Sequence, residues 1–521
     1  MIYLLHQAIE EHARIRPNQD AFRHNGKGIS YRELDIRANR LANKLRALGV
    51  GTGDRVGIYM NKCLEMPVAV FGIMKAGAAY VPLDPSAPTD RLAFILAHCG
   101  IDVLISHKNK TPRLAELAAG RTLKGIIGVH QAEIAAPTFS WAQVEEISAA
   151  HPDVSLMEDD LAYIMYTSGS TGVPKGIMHT HASGLSYARG AADLYGLNPG
   201  DRLGNHSPLH FDMSTLEFFS GPLVGATTVL IPREYAKLPA SMAGLIEKER
   251  LTIWYSVPFA LIQLLLRGAI ENRDLSSLRW ILYGGESFPI KYLRDLMNRL
   301  PGARYGNVYG PAEVNQCTFY LLPTPLPRDM VNVPLGSMWD NATGRILDEN
   351  DREVPPGEAG ELVVRTPTMM QGYWNRPDLN EKAFFRDSPF PGYTRAYYRT
   401  GDLVLRGEDG LMYFVGRKDR QIKTRGYRVE LDEIEAALAT CPEVLEAAAF
   451  SGEIFEGSAS VEAAVTLKEG QQADANGLIA VLKEKLPWYA VPRQVHLLDS
   501  FPRTATGKID RRALEALRNM Q

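Results

Sequence analysis

Residues 166–176 read Tyr166-Thr167-Ser168-Gly169-Ser170-Thr171-Gly172-Val173-Pro174-Lys175-Gly176 and directly follow an apolar run that predicts a strand. The three glycines allow tight backbone curvature, so that exposed N–H groups can form an anion-binding nest. The hydroxyls add donors, and Lys175 adds a positive charge suited to phosphate oxygens. A Walker A loop would place Gly-Lys-Ser/Thr at the start of a helix, whereas here Pro174 precedes the lysine and Gly176 follows it. The segment therefore predicts a different kind of phosphate loop. The alternative, a flexible surface turn, would not require this order of residues.

The composition is that of an ordinary globular protein. Of the 521 residues, 45% are hydrophobic and 22% are charged, and 57 Lys+Arg against 60 Asp+Glu give a net charge of −3. Without a basic excess, we expect no nucleic-acid partner. The four cysteines show no Cys-x-x-Cys spacing, which disfavours a disulfide scaffold or an all-cysteine zinc site. The start of the chain lacks a long apolar signal region, and residues 66–83 are too interrupted to span a membrane. We therefore expect a cytoplasmic protein with no membrane partner.

Strand-like and helix-like runs alternate through most of the chain. Apolar strands are predicted at residues 54–60, 79–83, 161–166, 226–231, 251–256 and 280–283, each next to a helical stretch. This alternation favours an α/β fold with mostly parallel strands. After about residue 340, short strands at residues 361–365, 402–405 and 411–415, separated by Gly, Asp and Pro, predict a β-rich subdomain to residue 416. A charged segment then leads into a fresh α/β unit. We therefore divide the chain into an N-terminal core, residues 1–416, and a C-terminal domain, residues 417–521.

The phosphate loop resembles the signature of the AMP-forming adenylating superfamily, which includes acyl-CoA synthetases, luciferases and nonribosomal peptide synthetase adenylation domains. Further motifs agree in the family's order over nearly the full chain. They are residues 30–34 (SYREL), 75–84 (KAGAAYVPLD), 211–214 (FDMS), 307–313 (NVYGPAE), 398–403 (YRTGDL), 416–426 (GRKDRQIKTRG) and 507–511 (GKIDR). By motif, the chain is most similar to amino-acid adenylation enzymes. The resemblance implies layered α/β subdomains plus a β-rich subdomain, followed by a small, mobile α+β lid.

The resemblance also implies a reaction and the residues that perform it. ATP and a carboxylic acid form an acyl-adenylate and pyrophosphate, and a thiol then takes the acyl group. Lys508 matches the family lysine that bridges the carboxylate and phosphate oxygens, where a fixed ammonium stabilises developing charge. The implied ATP-binding residues are Thr167, Ser168, Gly169, Ser170, Thr171, Gly172, Lys175, Gly284, Gly285, Glu286, Asn307, Tyr309, Gly310, Asp402 and Arg417.

Within this set, individual roles follow from the matching motifs. Asp402 resembles the carboxylate that accepts hydrogen bonds from both ribose hydroxyls, with Arg417 as a second ribose contact. Tyr309 resembles the aromatic residue that stacks on adenine, with Asn307 and the backbone of residues 284–286 at the edges of the ring. Glu313 resembles the Mg²⁺ ligand, and a hard oxygen donor suits that ion.

One residue departs from the family's pattern, and two others point to a moving lid. The family's common Thr before the metal-binding Glu is Ala312 here, which removes a hydroxyl near the α-phosphate. Asp419 matches the family's hinge. Because one lid cannot present two faces to a site at once, the family rotates it: the first orientation delivers Lys508, and the second brings the loop around Gly426 to a pantetheine tunnel.

Asp212 indicates which class of acid is activated. It matches the carboxylate that pairs with the substrate's α-ammonium in amino-acid-activating members. An Asp that simply caps a helix is the alternative. The implied pocket comprises Asp212, Met213, Leu216, Tyr255, Leu282, Gly284, Val308, Gln316 and Cys317. This set resembles the pocket of freestanding prolyl-adenylating enzymes. Met213, Gly284, Val308 and Gln316 depart from it, and Gln316 either binds a polar group on a modified ring or points away.

Three functions remain open. The first is a freestanding ligase that loads L-proline, alanine or another small amino acid onto a separate phosphopantetheinylated carrier protein, in natural-product biosynthesis. No carrier domain is recognised before or after Lys508, so the acceptor is expected to be another protein. The second is an acyl- or aryl-CoA ligase, which would leave Asp212 unpaired. The third is a catalytically silent homologue, against which Lys508, Asp402 and Glu313 argue.

Overall fold

The computed structural model describes residues 1–107, 110–130, 134–169, 173–455, 458–503, 509–511 and 513–514. Four residues with predicted roles, Ser170, Thr171, Gly172 and Lys508, lie outside the described residues.

Two large mixed sheets form most of the N-terminal part. Their strands are β1 Asp20–His24, β2 Lys27–Ser30, β3 Arg55–Tyr59, β4 Ala79–Pro82, β5 Val103–Ser106, β6 Gly125–Ile127, β7 Thr138–Phe139, β8 Leu161–Thr167, β9 Lys175–Thr180, β10 Arg202–Asn205, β11 Thr227–Leu230, β12 Ile253–Ser256, β13 Trp280–Gly284, β14 Arg304–Tyr309, β15 Thr318–Leu321 and β16 Ser337–Met338. One sheet has the order β16-β15-β14-β13-β12-β10-β11-β1-β2, and the other runs β9-β8-β4-β3-β5-β6-β7. The strands predicted from apolar runs are all present.

Helices cover these sheets. They are α1 Gln7–Ile15, α2 Tyr31–Ala47, α3 Glu65–Lys75, α4 Thr89–Cys99, α5 Thr111–Ala118, α6 Trp141–Glu145, α7 His181–Tyr195, α8 Gly221–Val224, α9 Pro239–Glu249, α10 Pro258–Arg267 and α11 Ile290–Arg299. Helix α2 shows why such segments fold locally. The Ser30 side chain caps it by accepting from the Glu33 N–H, and Leu34, Ala38, Leu41 and Leu45 bury one face at helical spacing.

The β-rich part begins near residue 340, as predicted. It contains β17 Thr343–Leu347, β18 Ala359–Arg365, β19 Gly372–Tyr373, α12 Pro377–Ala383, β20 Phe384–Phe390, β21 Tyr393–Arg406 and β22 Met412–Arg417. Strands β17, β18, β21, β20 and β22 form one sheet, while β19 pairs with β9 of the large sheet. The predicted short strand at residues 402–405 is the end of the longer β21. Gly401 lies inside β21 at φ +70°. Because glycine usually indicates a turn, the sequence predicted a shorter strand that begins after it.

A smaller unit follows β22. It consists of β23 Gln421–Thr424, β24 Tyr427–Glu430, α13 Leu431–Ala439, β25 Val444–Phe455, β26 Ser458–Leu467, α14 Ala475–Lys485 and β27 Gln494–Leu497. Strands β23 and β24 form a separate hairpin, and β25, β26 and β27 form their own sheet. The predicted fold class, a large α/β core with a smaller C-terminal domain, is confirmed. The boundary at residues 416 and 417 stays a prediction, although β22 ends the core's sheet at Arg417.

Two predicted absences can be compared with the structure. Cys63, Cys99, Cys317 and Cys441 are all free thiols. None of the helices in the described parts of the chain combines the length and the apolar character needed to cross a bilayer.

Candidate active site

The phosphate loop joins two antiparallel strands. Thr167 ends β8 and pairs in register with Lys175, the first residue of β9. Ser168 is buried, and a Cβ on Gly169 would lie 2.2 Å from the Val173 carbonyl oxygen, so only glycine fits there. The described part of the loop therefore has the close backbone approach that the sequence predicted.

Lys175 and the predicted metal ligand Glu313 meet in one buried cluster. The Glu313 side chain is 0% exposed. Its carboxylate lies 3.4 Å from the Lys175 Nζ atom, accepts a 2.7 Å hydrogen bond from the Tyr373 hydroxyl and receives Arg428 Nη1 at 3.1 and 3.2 Å. Tyr373 in turn accepts a hydrogen bond of 3.1 Å from Lys175.

The electrostatics of this cluster suit anion binding. Burial opposes ionisation of Glu313, but the charges of Arg428 and Lys175 outweigh it and hold its pKa well below the usual value. Burial, together with the charge of Arg428, lowers the pKa of Lys175 to about 8. Two half-buried cations beside one buried carboxylate can accept further negative charge, as a phosphate site requires.

The cluster also bears on the predicted Mg²⁺. Among the described residues, no group of three or more His, Cys, Asp or Glu side chains could hold a metal by itself. Mg²⁺ is commonly held by one or two carboxylates together with substrate phosphates and water. A single Glu313 beside a phosphate-binding cluster fits that kind of site.

The residues predicted to bind the nucleoside form a chain of contacts. Asp402 is buried, and its carboxylate accepts hydrogen bonds of 2.6 Å from the Tyr309 hydroxyl and 2.5 Å from Arg417 Nη1. Arg417 also binds Asp419 with bonds of 2.5 and 2.6 Å. Burial alone would raise the pKa of Asp419, but Arg417 outweighs it and lowers that pKa. The predicted ribose contacts and hinge residue are therefore physically linked.

The predicted adenine edge lies alongside. Asn307 donates from Nδ2 to the Pro334 carbonyl at 2.8 Å, which fixes the amide and leaves its oxygen free to accept from a ligand. A Cβ on Gly284 or Gly310 would meet a backbone oxygen at 2.4 or 1.9 Å, respectively. Gly285 adopts φ +90°. A cleft of about 1060 Å³ brings Glu286, Asn307, Tyr309 and Arg417 together between the core and the C-terminal unit.

Asp212 opens a short 3₁₀ turn, Asp212–Ser214, which is followed by a π-helical segment, Leu216–Ser220. Burial raises the pKa of its carboxyl group to about 6, the charge of Glu313 adds to this, and Lys423 opposes it. No salt bridge between described residues involves this carboxylate. Asp212 therefore combines desolvation with the lack of a close cationic partner, a combination that an incoming ammonium would relieve.

The predicted pocket wall is mostly buried and apolar. Leu216, Leu282 and Val308 belong to one core cluster, against which the half-buried Tyr255 packs. Cys317 is buried, its Sγ atom lies 3.6 Å from the Tyr309 carbonyl oxygen, and burial raises the pKa of its thiol. Met213 is half-buried next to Asp212. Gln316 is buried and accepts a 2.9 Å hydrogen bond from Tyr195.

The β23–β24 hairpin of the C-terminal unit reaches into this site. The Gly426 N–H donates to Glu286 at 2.5 Å, and the Ser168 hydroxyl donates to the Arg428 carbonyl at 3.1 Å. Gly426 adopts φ +81°, and a Cβ there would meet Val257 Cγ1 at 2.4 Å. The structure therefore places the predicted Gly426 face of the lid against the core.

Sequence reasoning missed three members of the site: Arg428, Tyr373 and Lys423. Lys423 is a half-buried residue of β23, with its Nζ atom 5.9 Å from the Tyr309 ring centre. Charged runs are usually solvated, so the run that contains Arg428 and Lys423 gave no separate signal. Tyr373 lies 60 residues from Glu313 along the chain, beyond any local motif.

The position of Lys508 is not described, but Ile509 and Arg511, which follow it in the chain, are described. Ile509 packs against the cluster of Ala448 and Phe450, and Arg511 forms a 3.2 Å salt bridge with Glu435. Both contacts lie within the C-terminal unit.

Comparison with known proteins identifies the family. Residues 9–374 match the AMP-binding enzyme family, and residues 433–508 match the AMP-binding enzyme C-terminal domain. An L-proline--[L-prolyl-carrier protein] ligase of Pseudomonas fluorescens is 34% identical over 514 residues, covering 98% of both chains. A ligase of the same name from Streptomyces coelicolor is 34% identical over 507 residues, covering 93% of this chain and 91% of that one.

Solved structures agree as well. The Vibrio cholerae adenylation domain AlmE, in complex with glycyl-adenosine-5'-phosphate, superposes with a TM-score of 0.86 at 25% identity, covering 100% of this chain and 98% of that one. The chain therefore belongs to the AMP-binding enzyme family, within the AMP-forming adenylating superfamily that its motifs resemble.

Proposed function

We propose that this protein activates a small amino acid, L-proline or a close cyclic analogue, and loads it onto a separate carrier protein. ATP and the amino acid would form an aminoacyl-adenylate and pyrophosphate, and a phosphopantetheine thiol would then take the aminoacyl group. The protein is an AMP-forming ligase of the amino acid–carrier protein class. A cytoplasmic location and a role in natural-product biosynthesis are part of the proposal.

The observation that carries the amino-acid class is the carboxylate of Asp212. Its pKa is raised to about 6 by burial, so ionisation is costly in the ligand-free protein. A substrate ammonium would offset that cost through a charge-assisted hydrogen bond. A fatty or aryl acid brings no cation, so an acyl- or aryl-CoA ligase would leave this carboxylate unpaired.

Two observations favour proline among the amino acids. Both carrier-protein ligases reported above carry proline in their names and match this chain over more than nine-tenths of its length. The wall of Leu216, Leu282 and Val308 offers no second charge, so an acidic or basic side chain would be buried unpaired. Alanine or another small amino acid is the second candidate, because an apolar pocket separates neighbouring sizes by only about 1–3 kcal/mol per methylene.

The residues would divide the first step among themselves. Lys175 would hold phosphate oxygens, Asp402 would accept the ribose hydroxyls, and Asp212 would orient the amino acid so that its carboxylate faces the α-phosphorus. That carboxylate oxygen bonds to phosphorus as the bond to pyrophosphate breaks. Mg²⁺ held by Glu313 would neutralise phosphate charge, and Lys508 would bridge the two anions.

In the second step the thiol sulfur bonds to the acyl carbon, the thiol proton is lost, and AMP leaves. The hairpin contacts support a lid that serves this step, since Gly426 and Arg428 already lie against the core. A lid that moves between two orientations is part of the proposal.

Pyrophosphate exchange with a panel of carboxylic acids tests the proposal. We expect exchange with proline or a cyclic analogue well above that with phenylalanine, glutamate, lysine or a fatty acid. A carrier protein bearing phosphopantetheine should then be acylated, as intact-protein mass spectrometry would detect. A preference for an aromatic amino acid, an acidic amino acid or a fatty acid would contradict the proposed substrate. Exchange with no acid at all would favour a catalytically silent homologue.

A further inference from the structure

Among the described residues, two polar side chains near the predicted pocket wall each have one buried group without a hydrogen-bond partner. Gln316 is 2% exposed, and its carboxamide oxygen accepts a hydrogen bond of 2.9 Å from the Tyr195 hydroxyl, but its buried Nε2 atom has no hydrogen-bond partner among the described residues. The hydroxyl of Tyr187, which is 1% exposed, is likewise buried and unpartnered.

Both groups belong to the same part of the protein as the wall. Tyr187 and Tyr195 lie eight positions apart on α7 and share one core cluster with Leu216, Leu282 and Val308. Tyr195 ties Gln316 to that cluster through its hydroxyl. The two unpartnered groups are therefore embedded among the residues that should surround the substrate side chain.

Both groups are suited to donate a hydrogen bond. The Gln316 oxygen is occupied by Tyr195, which leaves the amide N–H atoms to seek an acceptor. Burial raises the pKa of Tyr187 well above its usual value, with nearby Tyr255, Tyr195, Glu217 and Asp212 adding to the effect, so this hydroxyl keeps its proton. Leaving a buried donor unmet is costly, whereas an apolar residue at the same place would cost nothing of this kind.

We propose that the pocket selects a small amino acid whose side chain carries an uncharged oxygen acceptor, received by Gln316 and Tyr187. The inference rests on the proposed function and narrows its substrate from proline to an oxygenated ring or an equally small oxygenated side chain. The oxygen is expected to be neutral because the predicted set of pocket residues includes no lysine or arginine. Gln316 and Tyr187 are thus specificity-determining residues.

Matched pairs of amino acids test this. Pyrophosphate exchange is measured with L-proline against cis- and trans-4-hydroxy-L-proline and 4-oxo-L-proline, and with L-valine against L-threonine, which has nearly the same shape. We expect at least one oxygenated member to exceed its apolar partner in kcat/KM by about tenfold or more, because a buried donor that finds no acceptor penalises the apolar analogue.

Two variants locate the effect. Gln316→Leu and Tyr187→Phe should each lower the oxygenated-to-apolar ratio by about tenfold, because each removes a donor that only the oxygenated member can use. Tyr305→Phe makes the same change at a buried tyrosine in a different core cluster, where the hydroxyl donates to the Leu300 carbonyl, and should leave the ratio unchanged. Thermal stabilisation of each variant by the amino acids gives a second readout, independent of turnover.

The outcomes separate the two proposals. Proline exchange above that of every oxygenated analogue, with ratios unmoved by Gln316→Leu and Tyr187→Phe, would overturn the acceptor proposal and leave the amino-acid ligase standing. Exchange with none of the amino acids would overturn both. A shifted ratio in either variant, with Tyr305→Phe unaffected, supports the assignment even if the other variant does not fold.

Discussion

Asp212 carries the strongest single-residue prediction. The substitution Asp212→Asn keeps the size of the side chain and removes its charge. Because a desolvated substrate ammonium would lose its charged partner, we expect kcat/KM for the amino acid in pyrophosphate exchange to fall on the order of 100-fold. This corresponds to a loss of ~2–3 kcal/mol in transition-state stabilisation. The exposed Asp159 offers a matched control, since Asp159→Asn should leave exchange unchanged. Near-normal exchange by Asp212→Asn would remove its role as the anchor.

The same variant makes a pH prediction. The pKa of Asp212 in the folded protein, about 6, lies above the ordinary pKa of an aspartate side chain, 3.8. The folded protein therefore holds this proton more tightly than the unfolded chain does, and ligand-free stability is lost as the pH rises from about 4 through about 6. Asp212→Asn should raise the Tm of the ligand-free protein at about pH 8 and by less at about pH 4. Amino-acid affinity of the parent should weaken below about pH 6, as the carboxylate becomes protonated.

Residues differ in how far the sequence could assign them. Asp212, Asp402 and Glu313 each sit in a short contiguous motif, so the sequence alone could suggest a role for each of them. Arg428 contacts Glu313 across 115 residues, and only the docked hairpin brings them together. Gln316 was ambiguous for a physical reason: sequence cannot tell whether a glutamine's oxygen or its nitrogen has already found a partner.

At the scale of the element, the β23–β24 hairpin is the part of the C-terminal unit that contacts the core at the site. Gly426 is its tightest point, because a Cβ would lie 2.4 Å from Val257 Cγ1 and the residue has φ +81°. Gly426→Ala should therefore prevent this docking, slow loading of the carrier protein strongly, and spare pyrophosphate exchange. Equal loss of both half-reactions would show that the hairpin does not serve the second step alone.

A matched glycine separates docking from local strain. Gly470 lies in the same unit at φ +75°, with nothing within 4 Å of an added Cβ. Gly470→Ala pays the same backbone penalty without the clash, so both half-reactions should persist. Val257→Ala added to Gly426→Ala should restore part of the loading rate, since it removes Cγ1 and Cγ2 of Val257, which the new Cβ would meet at 2.4 and 3.1 Å.

Elements were predictable where their signal is local. The alternation of buried strands and amphipathic helices gave the α/β class, because each element's periodicity lies within a few turns. For the long strand Tyr393–Arg406, the sequence predicted only residues 402–405, since Gly401 interrupts the apolar pattern without ending the strand. Its hydrogen bonds to β18, β20 and β22 hold it together, and no local window contains them.

At the scale of the whole molecule, function rests on how the C-terminal unit meets the core. Arg91 of α4 and Glu433 of α13 form a salt bridge of 2.5 Å, with side chains only 9% and 6% exposed. Burial raises the pKa of Glu433, against the charge of Arg91. This ion pair and the Arg428–Glu313 pair both cross the same interface, so the orientation of the lid is fixed partly by buried charge.

Breaking the Arg91–Glu433 pair gives the last prediction. Removing one partner of a buried pair typically costs ~3–5 kcal/mol, because the other charge is left uncompensated. If the lid adopts this orientation only for the second step, Arg91→Met should slow carrier loading from a preformed aminoacyl-adenylate and leave pyrophosphate exchange intact. Lys508→Ala should show the reverse, with exchange abolished and transfer retained.

The double variant Arg91→Met/Glu433→Met controls for simple misfolding, since a well-packed apolar pair can replace a buried ion pair at little cost. It should recover much of the loading rate that Arg91→Met loses. Parallel loss of exchange and loading in both Arg91→Met and Lys508→Ala would mean that one lid orientation serves both steps. In that case the buried charges at the interface would stabilise a fixed enzyme rather than select one of two states.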